Sequence, residues 1–270
     1  MFKIGFESCK ETADGKLGND GKHEQLSLPQ RSVVQIYFPA RNVTLSYYND
    51  SFSLKRGDVV YVEGKMEGLR GRVVEVAYNF KIKRSDYRRV IGMADTCVKG
   101  TFYFAGSHFV SFDRAALPYE KILTWFKAPE TEDEDYVSGS DGQSFLLDDL
   151  STMKVSSQVA QRGHNYFLES KVRYLCLDGT HGRAIVEGSQ CYELEFEYCE
   201  GEISGLTCSC FCSFPCKHAV AAMLQLKETL ENIEKNYPEI YAETAYFAAV
   251  SKDVLLHFAV DNKETGSVVF

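Results

Sequence analysis

Short hydrophobic runs separated by turn-forming residues characterise residues 31–128. Apolar and polar residues alternate within these runs, which predicts β-strands because successive strand side chains point to opposite faces. The predicted strands are residues 33–38, 43–48, 59–64, 72–78, 101–104 and 108–112. Glycine-containing turns join them, so we expect a small barrel or a strongly bent sheet. Residues 118–127 predict a short amphipathic helix.

Residues 151–270 combine helical and strand patterns. Residues 157–163 are typical of a helix end, with Gly163 as the stop. Four alternating runs then predict strands at residues 172–177, 183–187, 191–198 and 202–207. A helix is predicted next, since six apolar residues share one helical face: Ala219, Ala222, Met223, Leu226, Leu230 and Ile233. Residues 254–260 and 267–270 predict a C-terminal hairpin.

Two polar stretches divide the chain. Residues 1–30 are rich in turn formers and predict a mobile arm or long loop. Residues 129–150 contain eight acidic and no basic side chains, so charge repulsion predicts a solvated linker. The predicted fold class is α+β, with a mostly-β domain at residues 31–128 and a C-terminal domain of antiparallel strands, a helix and a hairpin at residues 151–270.

Composition excludes several classes of protein. The 270-residue chain is 44% hydrophobic, which is enough to bury a core and excludes wholesale disorder. No apolar run approaches the ~18–20 residues that a bilayer-spanning helix needs. The N-terminal segment soon becomes polar and charged, so it does not fit a signal peptide. We therefore expect a soluble, cytoplasmic protein without a membrane partner.

The net charge of −8 conceals a basic segment. Residues 31–128 carry 16 basic and 9 acidic side chains, a net charge of +7. A nucleic-acid groove uses cations for phosphate and aromatic rings for bases, and three aromatic residues lie within or beside the densest basic group. This group, predicted to lie on a hairpin and to bind nucleic acid, is Lys81, Lys83, Arg84, Arg88 and Arg89. The alternative is a solvated hairpin that binds nothing.

Four cysteines lie within nine residues, a spacing that indicates a metal site in a reduced compartment. Zinc prefers four sulfur or nitrogen ligands in a tetrahedron. Cys208, Cys210, Cys216 and His218 leave five residues between the two ligand pairs, whereas replacing Cys208 by Cys212 leaves only three. We favour the first set and keep Cys212 as a possible substitute. Four ligands leave no open position, so one structural Zn²⁺ is expected, with an iron–sulfur cluster or metal-free buried thiols as alternatives.

The pattern Cys208-x-Cys210-x5-Cys216-x-His218, running into an apolar helix, resembles the SWIM zinc finger. The spacer is short for that family, and Cys212 is an additional cysteine. The resemblance implies a zinc-binding domain that contacts DNA or proteins.

The resemblance extends upstream of the cysteines. Residues 162–167, Val172 and residues 184–192 follow the order seen in bacterial SWIM proteins, which include the SWIM regions attached to SNF2-type helicases. In total it covers residues 152–230 and leaves residues 1–128 without a resemblance. No helicase or transposase domain accompanies it here, so an ATP-linked role is not implied for this chain.

No catalytic motif accompanies the cysteine cluster. The sequence lacks a P-loop, a Gly-x-Gly-x-x-Gly motif, a Gly-x-Ser-x-Gly motif and a His-Glu-x-x-His motif. We therefore expect a non-enzymatic zinc-binding module that binds nucleic acid, with DNA as partner and no small-molecule substrate. The rival hypothesis is a protein–protein adaptor for a helicase or recombination complex, which the overall acidity favours. An unrecognised nuclease or hydrolase is a third class.

Overall fold

The computed structural model describes residues 4–7, 31–129, 138–139, 143–212, 215–260 and 267–269. These residues form two antiparallel sheets and a few helices, which confirms the predicted mixture of strand and helix. Strand β1 is Ile4–Glu7. None of the described helices is both long enough and apolar enough to span a membrane.

The smaller sheet has five strands in the order β3-β2-β5-β4-β6. Its strands are β2 (Ser32–Phe38), β3 (Val43–Asn49), β4 (Val59–Val62), β5 (Gly71–Ala77) and β6 (Val90–Met93). The sheet is bent enough for its two edges to meet, because the Tyr48 amide donates to the Arg88 carbonyl at 2.9 Å. Apolar side chains fill the interior, including the fully buried Val34, Ile36 and Phe38 of β2.

The larger sheet has eleven strands, and ten of them follow the order β10-β14-β13-β12-β11-β15-β8-β7-β1-β16. The remaining strand, β9, pairs with β14. The strands other than β1 are β7 (Lys99–Ala105), β8 (His108–Ser111), β9 (Ser138–Gly139), β10 (Phe145–Leu146), β11 (Val172–Asp178), β12 (His181–Glu187), β13 (Cys191–Cys199), β14 (Glu202–Cys208), β15 (Tyr246–Ser251) and β16 (Ser267–Val269).

Strands β7 and β8 belong to this larger sheet, although the sequence placed them with the N-terminal β-rich domain of residues 31–128. Every residue of β15 is buried, so this central strand needs a hydrogen-bonded partner on each side. β11 supplies one partner and β8 the other. The pairing of strands thus groups residues 99–111 with the C-terminal half of the chain.

Helices cover both faces of the larger sheet. They are α1 (Tyr119–Leu123), α2 (Ser157–Leu168), α3 (Lys217–Asn236), α4 (Pro238–Thr244) and α5 (Lys252–Leu255), and a π-helix continues α5 over Leu256–Val260. Leu175 and Leu177 of β11 pack in the core on the α3 side, whereas Tyr174 and Cys176 face Trp125 and the α5 region.

The predicted helix stop at Gly163 is wrong, since α2 continues to Leu168. Gly163 is buried where α2 meets α3, and a Cβ at this position would lie 2.4 Å from the Cβ of Val220. The glycine is therefore required for the close approach of two helices and does not end one.

The predicted C-terminal hairpin is also wrong. Residues 252–260 are helical, and β16 pairs with β1 instead. Val254, Leu255, Phe258 and Ala259 are buried, and their spacing of four residues is that of a helix face. Phe258 stacks on Trp125 with ring centroids 5.0 Å apart, which fixes this helical segment on the sheet.

The predicted acidic linker ends earlier than expected. Half of residues 129–150 and most of the predicted arm at residues 1–30 lie outside the described residues. Phe145 and Leu147 are nevertheless buried in the larger core, and β10 pairs with β14. Residues 143–150 are therefore part of the folded sheet, because they carry apolar side chains that the acidic composition of the stretch conceals.

Candidate metal centre

The loop between β14 and α3 brings four side chains together. Cys208 is the last residue of β14, Cys216 immediately precedes α3, and His218 lies in its first turn. The sulfur and nitrogen atoms of these residues and Cys210 all lie within 4.8 Å of one another. All four residues are buried, with at most 2% of their surface exposed.

The distances fit a tetrahedral zinc ion. With Zn–S near 2.3 Å and Zn–N near 2.0–2.1 Å, tetrahedral geometry places a sulfur and a nitrogen ligand about 3.6 Å apart. The Nδ1 atom of His218 lies 3.7 Å from the Cys216 Sγ atom and 3.9 Å from the Cys208 Sγ atom. Thiolates and an imidazole are also the ligands that zinc prefers, so the residues present suit this metal.

The start of α3 favours a charged sulfur at Cys216. The thiol of Cys216 caps the helix and accepts a hydrogen bond from the Ala219 amide at 3.4 Å. The helix N-terminus carries partial positive charge, which stabilises a thiolate. The pKa of Cys216 lies well below its usual range, first because the Cys208 thiol hydrogen-bonds to it and then because of His218 and the Ala219 amide.

The other two thiols have the opposite tendency. The pKa of Cys208 is raised by its hydrogen bond with Cys216 and by burial, and the pKa of Cys210 is raised chiefly by burial. Three thiolates confined to one buried site repel one another. A bound divalent cation offsets this repulsion and permits all three thiols to lose their protons.

Aromatic side chains hold the imidazole of His218 in place. The ring of Tyr192 stacks on it with centroids 4.2 Å apart, and Tyr166 contacts it edge-on at 5.6 Å. Gly188 also packs closely against the imidazole, since a Cβ added at this position would lie only 3.2 Å from the Nε2 atom of His218. All three residues fall in the upstream resemblance, but the sequence alone assigned none of them a place beside a metal ligand.

Strand β9 supports the site from a stretch that the sequence assigned to the linker. The hydroxyl of Ser138 donates to the Cys208 carbonyl at 3.0 Å and lies 4.0 Å from the Cys210 Sγ atom. Ser138 is thus a neighbour of the cluster that sequence reasoning missed, and no motif marks it.

The fifth candidate ligand, Cys212, lies apart from the cluster. Cys212 is exposed, whereas Cys208 is buried against Cys216 and His218. The structure therefore brings together the four residues of the favoured set and leaves the possible substitute outside. Zinc coordination by these four residues stays a prediction.

The predicted basic group has a different setting. Residues 78–89 form an irregular loop with one short 3-10 turn, Arg84–Asp86, where a hairpin was predicted. Arg84 and Arg89 both form ion pairs with Asp50, at 3.3 Å and 2.7 Å. The pKa of Asp50 is lowered, first by the hydrogen bond from Arg89.

The remaining three members of the basic group are exposed to solvent. Among the described residues, no ion pair engages Lys81, Lys83 or Arg88. The side chain of Arg88 lies over Gly64, in the turn after β4. The five predicted residues therefore separate into two that share an ion pair with Asp50 and three that form no ion pair with the described residues and face solvent.

Comparison with known proteins addresses the cluster directly. The family model of the SWIM zinc finger matches residues 194–227. Residues 194–227 are a SWIM zinc finger. The matched region runs from the middle of β13 through the metal centre into α3, so the SWIM region contains all four clustered residues. The upstream resemblance at residues 162–192 lies outside the match. No curated protein and no solved structure matches the chain significantly.

Proposed function

We propose that this protein is a non-enzymatic SWIM module that binds nucleic acid through its smaller sheet and uses one zinc ion for structure. The observation that carries the nucleic-acid part is the exposed, unneutralised set of cations on the loop of residues 78–89. DNA is the proposed partner, and a role accessory to DNA transactions follows from it.

The structural role of zinc follows from the ligand set. Catalytic zinc keeps one position open for water or substrate, whereas four protein ligands close the coordination sphere. The four candidate ligands are buried, which also limits the access of a substrate. When bound, the ion supplies a crosslink between the end of β14 and the start of α3.

Charge distribution supports the smaller sheet as the surface that meets nucleic acid. Residues 31–94 contain twelve basic and six acidic side chains, in a protein whose net charge is −8. Polyanions are attracted to the region of positive potential, and the rest of the chain is net acidic. Tyr78, half exposed at 50%, adds an aromatic face beside the exposed cations Lys81, Lys83 and Arg88.

The test is the salt dependence of oligonucleotide binding. We expect Lys81→Glu/Lys83→Glu/Arg88→Glu to lower the slope of log affinity against log salt by about 3, since each lost phosphate contact removes about 1. The variant leaves Asp50 and its two arginines untouched.

The matched control is Lys154→Glu/Arg162→Glu/Lys235→Glu, which makes the same change of charge at exposed positions of the larger domain. The proposal requires the control to bind like the parent. Equal losses in both variants would indicate a general charge effect, and a loss confined to the control would place the contact on the zinc module.

A second candidate is the protein–protein adaptor for a helicase or recombination complex. The observation that favours it is that three large apolar residues are exposed to solvent and could contact a protein partner. Their exposed fractions are 76% for Phe211, 65% for Leu168 and 51% for Leu146. Single apolar residues are common on surfaces, so this observation is weaker than the cationic loop. Unchanged mobility of single- and double-stranded oligonucleotides at low salt would favour the adaptor.

A further inference from the structure

A groove of about 580 Å³ lies between the smaller sheet and the turn that joins β12 to β13. Residues 67–72 form one wall and residues 187–191 the other, with Phe126 and Phe258 also lining the groove. We call it the Arg70 groove. The four clustered residues of the metal centre do not line it.

Arg70 presents a flat cation to this groove. Its guanidinium lies 5.9 Å from the ring centroid of Phe126 and 5.4 Å from that of Phe258. It also donates a hydrogen bond to the Trp125 carbonyl at 3.3 Å. These contacts restrain the guanidinium, and such a restrained plane is a surface on which an unpaired nucleobase stacks.

Arg72 supplies a second cation to the groove. Its side chain is half-buried in the wall of the groove. No side-chain hydrogen bond or ion pair joins it to another residue in the described part of the chain. A partly desolvated guanidinium in this position favours an anionic group, and a guanidinium matches phosphate in geometry.

The groove also contains two carboxylates. Glu187 is paired with Arg173 at 2.6 Å, so its charge is neutralised within the protein. Glu67 is exposed and can accept a hydrogen bond from the exocyclic amino group of a base. The acidic residues are therefore compatible with a nucleotide, provided that its phosphate lies on the Arg72 side.

A short segment of chain connects the cationic loop with the groove. Arg88 packs over Gly64, and the short turn Gly64–Met66 leads directly into the wall at Glu67. Lys65 is exposed between them. Phosphates that follow Arg88 and Lys65 would thus bring the next nucleotides of one strand to Arg70 and Arg72.

We propose that the Arg70 groove binds one unpaired nucleotide of a single strand, with its base stacked on Arg70 and its phosphate at Arg72. This inference rests on the proposed nucleic-acid binding and adds a preference for single strands and a place for one base. The metal centre lies behind the opposite wall, because Gly188 contacts both His218 and the groove.

The test compares a 12-nucleotide single strand with the same strand made abasic at its four central positions, by fluorescence anisotropy at low salt. We expect the parent protein to bind the complete strand about tenfold more tightly than the abasic strand, because one stacked base provides about this much affinity.

Arg70→Gln should remove this preference while retaining the affinity for the abasic strand. Arg72→Gln should weaken both strands, and it removes no side-chain hydrogen bond or ion pair with the described residues. Lys235→Gln is the matched control and should behave like the parent.

The outcomes separate the two proposals. If the parent binds neither strand, the proposed function fails and the groove inference fails with it. If the parent binds both strands equally, or if Arg70→Gln keeps the tenfold preference, the groove inference alone is overturned. A free nucleoside monophosphate that saturates the groove without displacing the strand would also overturn it, because the strand would then bind elsewhere.

Discussion

The metal centre and the cationic loop contrast in how their chemistry is assembled. The four clustered residues of the metal centre lie within eleven positions of the sequence, and the structure brings them within 4.8 Å of one another. The five predicted cations also lie close together in sequence, yet Asp50 pairs with two of them from 34 and 39 residues away. Local spacing therefore suffices to bring four potential metal ligands together, whereas the effective charge of a surface depends on partners that sequence proximity does not reveal.

The largest expected effect concerns the ligands themselves. Cys216→Ser should abolish the binding of one zinc ion per chain and strongly destabilise the larger sheet and its helices. The reason is that the binding free energy of small structural zinc sites is on the order of 10 kcal/mol and is coupled to folding. Metal analysis and thermal unfolding measure both effects. Cys212→Ser is the matched control and should retain about one zinc per chain. Equal losses in the two variants would show that the cluster is not the ligand set.

Removal of the metal should affect the two sheets differently. A chelator should increase hydrogen exchange at the end of β14 and the start of α3. Cys208 and Cys216 belong to the core of the larger sheet at these two places, and His218 contacts Cys208 and Tyr192 there. Strand β2 should keep its protection, because its interior is a separate apolar cluster. Simultaneous loss of protection in both sheets would mean that the metal stabilises the entire described chain.

Substitution of the wall beside His218 should have an intermediate effect. The Cβ of Gly188→Ala would lie 2.9 Å from Tyr192 and 3.2 Å from the His218 imidazole, so the tyrosine or the ligand must shift. Residues that orient a metal ligand typically change metal affinity by about 10- to 100-fold. Competition with a zinc-binding dye measures this change. Gly179→Ala lies in a turn with no neighbouring atom within 4 Å and serves as the glycine control, although its positive φ adds local strain. An unchanged zinc affinity in Gly188→Ala would exclude an orienting role.

The smallest effect is expected at Asp50. Asp50→Asn should cost less than about 1 kcal/mol of unfolding free energy, since the arginine partners are substantially exposed. The lowered pKa of Asp50 means that its contribution is present above its ordinary value near 3.9 and is lost as the pH falls through the folded pKa. The parent and the variant should therefore differ in stability at pH 7 and converge in acid.

The same substitution tests whether Asp50 reduces the effective positive charge of the cationic loop. Asp50→Asn releases Arg84 and Arg89, so oligonucleotide affinity should rise and its salt slope should steepen by up to about 2. Glu75→Gln, which makes the same change of charge at an exposed position of β5, is the control. Unchanged binding in the aspartate variant would place phosphate away from these two arginines.

The sequence by itself determined the elements whose information is local. The strands from β2 to β5, the four strands from β11 to β14, the apolar face of α3 and the clustered residues before it were all apparent from periodicity and spacing. These features depend on residues a few positions apart, so the pattern of one segment is sufficient to predict them.

Only the tertiary structure decided the features that depend on distant contacts. Gly163 was predicted to stop a helix, but its packing against Val220 gives it another role. Residues 99–111 joined the larger sheet because the buried strand β15 required a partner. Residues 252–260 became helical where four apolar side chains could reach the core around Trp125. In each case the local sequence allows more than one conformation. The conformation that forms is the one that buries apolar groups against residues distant in the sequence.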